Sequence, residues 1–172
     1  MNRRVAVTGL GCVTPLGADR ETTWRGAVDG VSGIRPLTDE RTAGLPVKLA
    51  AVAADFDPLR VMSAKEARRA DRYAQLALAA ADEAMRDSGL ALGANADELR
   101  TGVWIGSGVG GIATFEAGMT DALRHGYDRV SPFALPMFLP NTAASSVAIR
   151  FGAKGIAACT ATACSSGSQS IG

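Results

Sequence analysis

Near the end of the chain the sequence reads GIAACTATACSSGSQSIG, residues 155–172, and Cys164 is the residue in it most able to do chemistry. An apolar, β-branched run precedes it, and Ser and Gly follow. If the run is a strand and SSGSQSIG opens a helix, Cys164 sits on a sharp strand-to-helix turn. The N–H groups of a helix's first turn have no intrahelical partner and favour negative charge in front of them. They are equally placed to stabilise the oxyanion formed when a thiolate attacks an acyl carbonyl. The small neighbours Ala163, Ser165, Ser166 and Gly167 leave the sulfur approachable. Against this stands the ordinary fate of a free cysteine, a small buried hydrophobe. Spacing alone leaves both open for Cys164, whereas Cys12 and Cys159, in turn-like and apolar runs, fit the bland role. A nucleophile needs an acid–base partner, and the one histidine, His125, reads as a surface residue near a helix C-terminus.

Two further patterns carry possible function. Gly106-x-Gly108-x-x-Gly111 follows an apolar run and precedes a helix-like segment, as a dinucleotide fingerprint would. The acidic residue that should end a strand about twenty residues later is missing, since Asp121 and Asp128 lie in helix- or loop-like sequence. The other role for such glycines is steric, letting backbone pass close to a neighbour. Lys65, Arg68 and Arg69 have the i, i+3, i+4 spacing of one helix face. They are either a solvated face or a docking site for an acidic partner.

The elements that must position these groups follow from pattern. RVAVTGL (4–10) and TGVWIGSG (101–108) are apolar runs breaking into glycines, and both predict buried strands. GIAACTATA predicts a last strand, and LPVKLAAVA is β-compatible. Asp19 is placed to cap, and Gly30 to end, a helix in DRETTWRGAVDG. Ser63-x-x-Glu66 is a capping-box signature. Residues 71–88 carry the strongest helical periodicity, ended by Gly89. ATFEAGMTDALRHG and NTAASSVAIRFG predict two more helices, with the proline-punctuated loop SPFALPMFLP between them. Strands alternating with helices predict an α/β layered fold with a largely parallel sheet.

Composition narrows the function classes. Eighteen basic against seventeen acidic residues leave a net charge of +1, which offers no attraction to nucleic acid. No apolar run reaches the roughly 18–20 residues of a membrane span. MNRRVAVTGLGCV has basic residues before a short apolar stretch, but Thr and Gly interrupt it, so a first strand fits better than a signal peptide. Three unevenly spaced cysteines form neither a metal pattern nor a disulfide framework, which predicts a reducing, cytoplasmic setting.

Five segments, RVAVTGLGCVTPLG, SAKEARRAD, IGSGVGG, SPFALP and TACSSG, occur in the order and spacing of the β-ketoacyl-acyl-carrier-protein synthases. The chain resembles that family along its whole length, especially the type II elongating enzymes. The resemblance implies a thiolase-like α/β fold, of which residues 1–172 would be the N-terminal domain, ending just after the nucleophile. It implies that Cys164 accepts an acyl chain from a carrier protein and that a malonyl unit is then decarboxylated and condensed onto it, in fatty acid biosynthesis. It further implies that Val109 and Phe133 line the acyl pocket, Phe133 reaching that of the partner subunit in a homodimer. Lys65, Arg68 and Arg69 would meet the acidic acyl carrier protein. No cofactor or metal is implied, since phosphopantetheine arrives on the carrier, and neither nucleic acid nor membrane is a partner. Catalytic histidines, a lysine and a gating phenylalanine lie, in the family, beyond residue 172, so no condensation and poor solubility are expected of this chain alone. The alternatives are a non-catalytic acyl- or carrier-binding module and a fragment of a polyketide-type ketosynthase.

Overall fold

A computed structural model describes residues 4–172. Its centre is a pair of helices laid over a short parallel sheet. Helix α3 (Arg72–Ser88) is capped by Asp71 and ended by Gly89 in the left-handed conformation, φ +66°. Helix α6 (Thr142–Phe151) ends on Gly152, φ +75°. Both termini are what a Cβ-free residue makes possible. The two helices pack closely because the seam is made of alanines, Ala74 on α3 and Ala143 and Ala144 on α6, the last two with no exposed surface. Beneath α6 lie β3 (Val103–Gly106) and β4 (Ala157–Thr160), paired in parallel with Ile105 opposite Cys159. Met62, Leu78 and Val147 form the buried cluster, joined by Val103, Ile105 and Phe151 from the sheet and α6.

The remaining elements surround this unit. Helix α1 (Arg20–Val28) begins at Asp19, whose Oδ1 accepts the Thr22 N–H at 2.8 Å. That bond, with a second from the Thr22 hydroxyl, holds the Asp19 carboxyl below the usual carboxylate range. Strands β1 (Ile34–Pro36) and β2 (Leu49–Ala51) make a small antiparallel ladder, so β2 is three residues of the longer run expected. Helix α2 (Ala64–Ala67) carries the anticipated capping box: Ser63 Oγ accepts the Glu66 N–H and Glu66 Oε2 accepts the Ser63 N–H. Helix α4 (Ile112–His125) matches its expected span. The proline-punctuated loop contains a helix of its own, α5 (Ala134–Phe138). Pro136 fits there because it stands in the first turn, where an N–H has no intrahelical partner anyway.

The α/β class holds, with β3 and β4 parallel, and the described strands fall into two two-stranded ladders. One expectation is corrected. Residues 4–10 form no strand at all. Val5 and Val7 are 94% and 78% exposed, and no strand among the described residues pairs with them. The segment leans on α3 instead. A Cβ at Gly9 would stand 2.2 Å from Ala84 O, and one at Gly11 would stand 2.0 Å from Ala80 O. The Leu10 N–H donates to Asp87 Oδ2 at 3.0 Å and the Cys12 N–H to Glu83 Oε2 at 2.9 Å. Those carboxylates do for the backbone what a neighbouring strand would have done.

Candidate active site

The chain leaves β4 at Thr160 and enters helix α7 (Ser166–Ile171) through a single 3-10 turn, Ala163–Ser165. Cys164 is the middle residue of that turn and is exposed. The preceding residue, Ala163, has φ +51° and is the one non-glycine with positive φ among the described residues. An alanine there costs about 1–2 kcal/mol, so its surroundings must hold it. They do so through Ser166, which is 3% exposed. Its Oγ accepts the Thr162 N–H at 2.9 Å and donates to Ala163 O at 2.7 Å. The Ser166 N–H also donates to Ala163 O, and the Ser165 hydroxyl donates to Thr162 O at 2.8 Å. The Cys164 N–H, by contrast, has no acceptor among the described residues.

The glycines of the 106–111 motif bring a second loop to this corner. A Cβ on Gly106, the last residue of β3, would fall 2.2 Å from Ser166 O, so β3 reaches the turn only as glycine. A Cβ at Gly108 would stand 3.6–3.8 Å from the Ala163 backbone, and the Ser107 N–H donates to Thr160 O at 3.0 Å. Val109, exposed, is the next residue of this loop after Gly108. The steric role of the glycines is therefore what the fold uses. The anion position that a dinucleotide would take, the N-terminus of α4, holds a protein carboxylate: Asp71 Oδ2 accepts the Thr114 N–H at 3.0 Å.

Helix α2 stops at Ala67, with Arg68 as its helical C-cap and Arg69 just beyond it, so the basic run continues past the helix; Lys65 and Arg69 line one open depression with Met62 and Arg150. Lys65 and Arg68 have no ion pair among the described residues, because the acid within the segment, Glu66, is engaged by Arg150 at 3.0 Å. The capping bonds from Ser63 keep the Glu66 carboxyl below its ordinary range. Arg69 stacks over the Phe133 ring, 4.3 Å from its centroid, which joins two residues the sequence had assigned separate tasks. An apolar cleft of about 520 Å³ opens between α4 and α5, lined by Phe115, Met119, Leu135 and Phe138, and neither Val109 nor Phe133 lines it. His125 is exposed on α4 and bonded to Asp121 one turn earlier, at 2.7 Å, as a surface histidine would be.

Sequence reasoning missed Ser166 and Asp71. Ser166 was read as a merely small neighbour of the sulfur, and a serine's burial is invisible in its name. The cap Asp-x-x following a basic run was a signal for Asp71, but its bond to a second helix was not.

Comparison with known proteins places the chain in a family. Residues 2–172 match the model of the β-ketoacyl synthase N-terminal domain. The 3-oxoacyl-(acyl-carrier-protein) synthase 2 of Staphylococcus aureus is 44% identical over 171 residues, covering 99% of this chain and 41% of the relative. The enzyme of the same name from Synechocystis sp. is 40% identical over 171 residues, with the same coverage. The chain thus spans about two fifths of the length of the curated relatives it matches. A β-ketoacyl synthase structure from Burkholderia phymatum superposes with TM-score 0.80 at 29% identity, over 96% of this chain and 41% of that one. A type II polyketide ketosynthase, solved in complex with its acyl-carrier protein, gives 0.79 at 20% identity, over 99% and 45%, a likeness of fold. A cysteine on a braced strand-to-helix corner, in a chain matched from residue 2 to residue 172, makes this protein a member of the β-ketoacyl synthase family, corresponding to its N-terminal domain and thiolase-like fold.

Proposed function

We propose that this chain is the acyl-capturing part of a 3-oxoacyl-(acyl-carrier-protein) synthase of fatty acid biosynthesis, with Cys164 as its nucleophile. The observation that carries the reading is the Cys164 corner: an exposed sulfur on a turn held in strained geometry by Ser166, with the cysteine's own N–H unengaged. The thiolate attacks the thioester carbonyl, the oxygen gains negative charge, and the Cys164 N–H is at hand to donate to it. Collapse of that intermediate breaks the carbon–sulfur bond to the carrier, releases its pantetheine thiolate and leaves the acyl group on Cys164. Exchange of one thioester for another keeps the acyl group activated for condensation. Val109, on the loop that abuts the corner, lines the path of the acyl chain, and Phe133 contributes to that pocket across a homodimer. No prosthetic group is required on the protein, since the carrier brings phosphopantetheine.

Lys65, Arg68 and Arg69 receive the acyl carrier protein. Supporting this, Lys65 and Arg68 are exposed and free of ion pairs among the described residues, and a ketosynthase of the same fold was solved in complex with its own carrier. Three cysteines without a disulfide pattern support a reducing, cytoplasmic setting. Condensation needs groups to decarboxylate malonate, and the one histidine here is bonded to Asp121 on the surface. The chain alone therefore captures acyl groups without making 3-ketoacyl product.

The deciding experiment mixes the purified chain with acyl-carrier protein and follows intact mass. Acylation on the peptide containing Cys164, lost in Cys164→Ala, is the expected result. An unmodified Cys164 after prolonged incubation, or acylation at Cys12 or Cys159 instead, would overturn the assignment.

A further inference from the structure

Asp71 lies between two features that the proposed function uses separately. It follows Arg69 by two residues and is the N-cap of α3. Its Oδ1 accepts the Tyr73 N–H at 3.3 Å, the ordinary task of a cap. Its Oδ2 reaches a second helix, accepting the Thr114 N–H at 3.0 Å and the Thr114 hydroxyl at 2.6 Å. Thr114 is in the first turn of α4, whose N-cap is Gly111 and so offers no side-chain oxygen. One carboxylate therefore caps two helices, and the residue is only 7% exposed.

The same carboxylate bears on the loop that carries Val109. A Cβ at Gly111 would lie 3.0 Å from Asp71 Oδ2 and 2.2 Å from Met137 O, so the loop is pressed into place at this end. The Gly110 N–H donates to Ser107 Oγ and the Gly111 N–H to Phe138 O. At its other end the loop is tied to Thr160 and abuts Ala163, next to Cys164. Val109 rides between the two anchor points.

We propose that Asp71 is a positioning residue: by capping α3 and α4 together it locks the Val109 loop to the base of the Lys65–Arg69 segment and sets where Val109 stands beside Cys164. This rests on the acyl-transfer reading of that corner. Without the carboxylate, the Thr114 N–H loses its acceptor in a half-buried site. The carboxylate's close approach to Gly111 is then relaxed, and this end of the loop, with its two freely turning glycines, is held only by the Gly110–Ser107 and Gly111–Phe138 bonds. Displacements of an ångström beside a reacting group carry large kinetic effects.

The test compares the 172-residue chain with Asp71→Asn, Thr114→Val, their double variant and Val109→Ala. The first readout is residue-resolved amide hydrogen exchange. The second is the ratio of Cys164 labelling rates with N-dodecylmaleimide and N-ethylmaleimide, read on the mapped peptide. Asp71→Asn is expected to speed exchange at Gly110, Gly111 and Thr114 by roughly tenfold or more, with the α6 amides unchanged. It shifts the labelling ratio by roughly threefold, in the direction that Val109→Ala shifts it. Thr114→Val gives a smaller shift of the same sense, and the double variant adds nothing to Asp71→Asn. If Asp71→Asn does not fold, Thr114→Val carries the test by the same criteria. Faster exchange spread evenly through α3 and α6, or a labelling ratio unmoved while Val109→Ala moves it, overturns the proposal and leaves the acyl-transfer reading standing. A ratio that Val109→Ala itself leaves unchanged overturns the acyl reading of this loop, and the proposal with it.

Discussion

Two stretches of this chain are written in nearly the same letters. VAVTGLG, residues 5–11, and VWIGSGVG, residues 103–110, are each a β-branched apolar run that breaks into glycines. The second is strand β3, paired with β4 and packed against the core through Val103 and Ile105. The first has no strand beside it among the described residues, its valines are exposed, and two carboxylates of α3 hold its backbone. β-Propensity describes side chains that suit a pleated, half-buried surface. It does not provide the neighbouring backbone that accepts and donates the ladder bonds. Both glycine breaks serve the same purpose, close approach to another backbone, yet one approaches the Cys164 turn and the other a helix side.

The contrast is sharpest at those glycines. Gly106→Ala places a Cβ against Ser166 backbone inside a packed corner that cannot withdraw, and is expected to cost about 3 kcal/mol in urea unfolding. Gly11→Ala meets α3 just as closely, but its segment can lift away at the loss of the Cys12–Glu83 bond, about 1 kcal/mol. Equal losses would break the comparison. Next in size, Ile105→Ser should cost about 2 kcal/mol, as a polar group enters the core, while Val5→Ser stays within about 0.5 kcal/mol. A large loss at Val5 would mean the first run has a partner after all.

Acid distinguishes the two regions by a different route. The Asp87 carboxyl is held below its usual range by the Leu10 N–H and by Arg20. A depressed carboxylate contributes stability above its unfolded pKa and loses it as pH falls through the folded value, so this anchor fails below about pH 4. Exchange at the Leu10 amide should rise there before exchange at β3. The smallest effect on folding is expected from Arg68→Glu, within about 0.5 kcal/mol, because the side chain has no ion pair to lose. If the proposed carrier docking holds, its effect appears instead as roughly tenfold weaker carrier binding at low salt, fading as salt is added.

Local punctuation was legible without a structure. Asp19, the Ser63–Glu66 box, Gly89 and Gly152 stand at the helix ends that their chemistry implies, and α3 runs where its periodicity places it. The strand-to-helix setting of Cys164 was also legible, since an apolar run met a Ser/Gly run. Helix α5 was hidden because Pro136 reads as a breaker unless its place in the first turn is known. The shortness of α2 was not legible: the helix itself carries only Lys65, and Arg68 and Arg69 follow as its C-cap and the turn beyond. The stacking of Arg69 on Phe133 was out of reach for a related reason: residues 64 apart in number meet only through the packing of the helices between them.

By itself, then, the order of residues decided where helices begin and stop, which cysteine follows a strand, and which family the chain resembles. These depend on interactions within a few positions, or on letters compared directly. Tertiary structure alone decided which apolar run became a strand, that Ser166 holds Ala163 in a strained conformation, and that one aspartate caps two helices. The first and last join segments distant in sequence, and their geometry exists only after hydrophobic packing has brought those segments within hydrogen-bonding distance; Ser166 and Ala163 are three residues apart, and what the fold adds there is the burial of the serine.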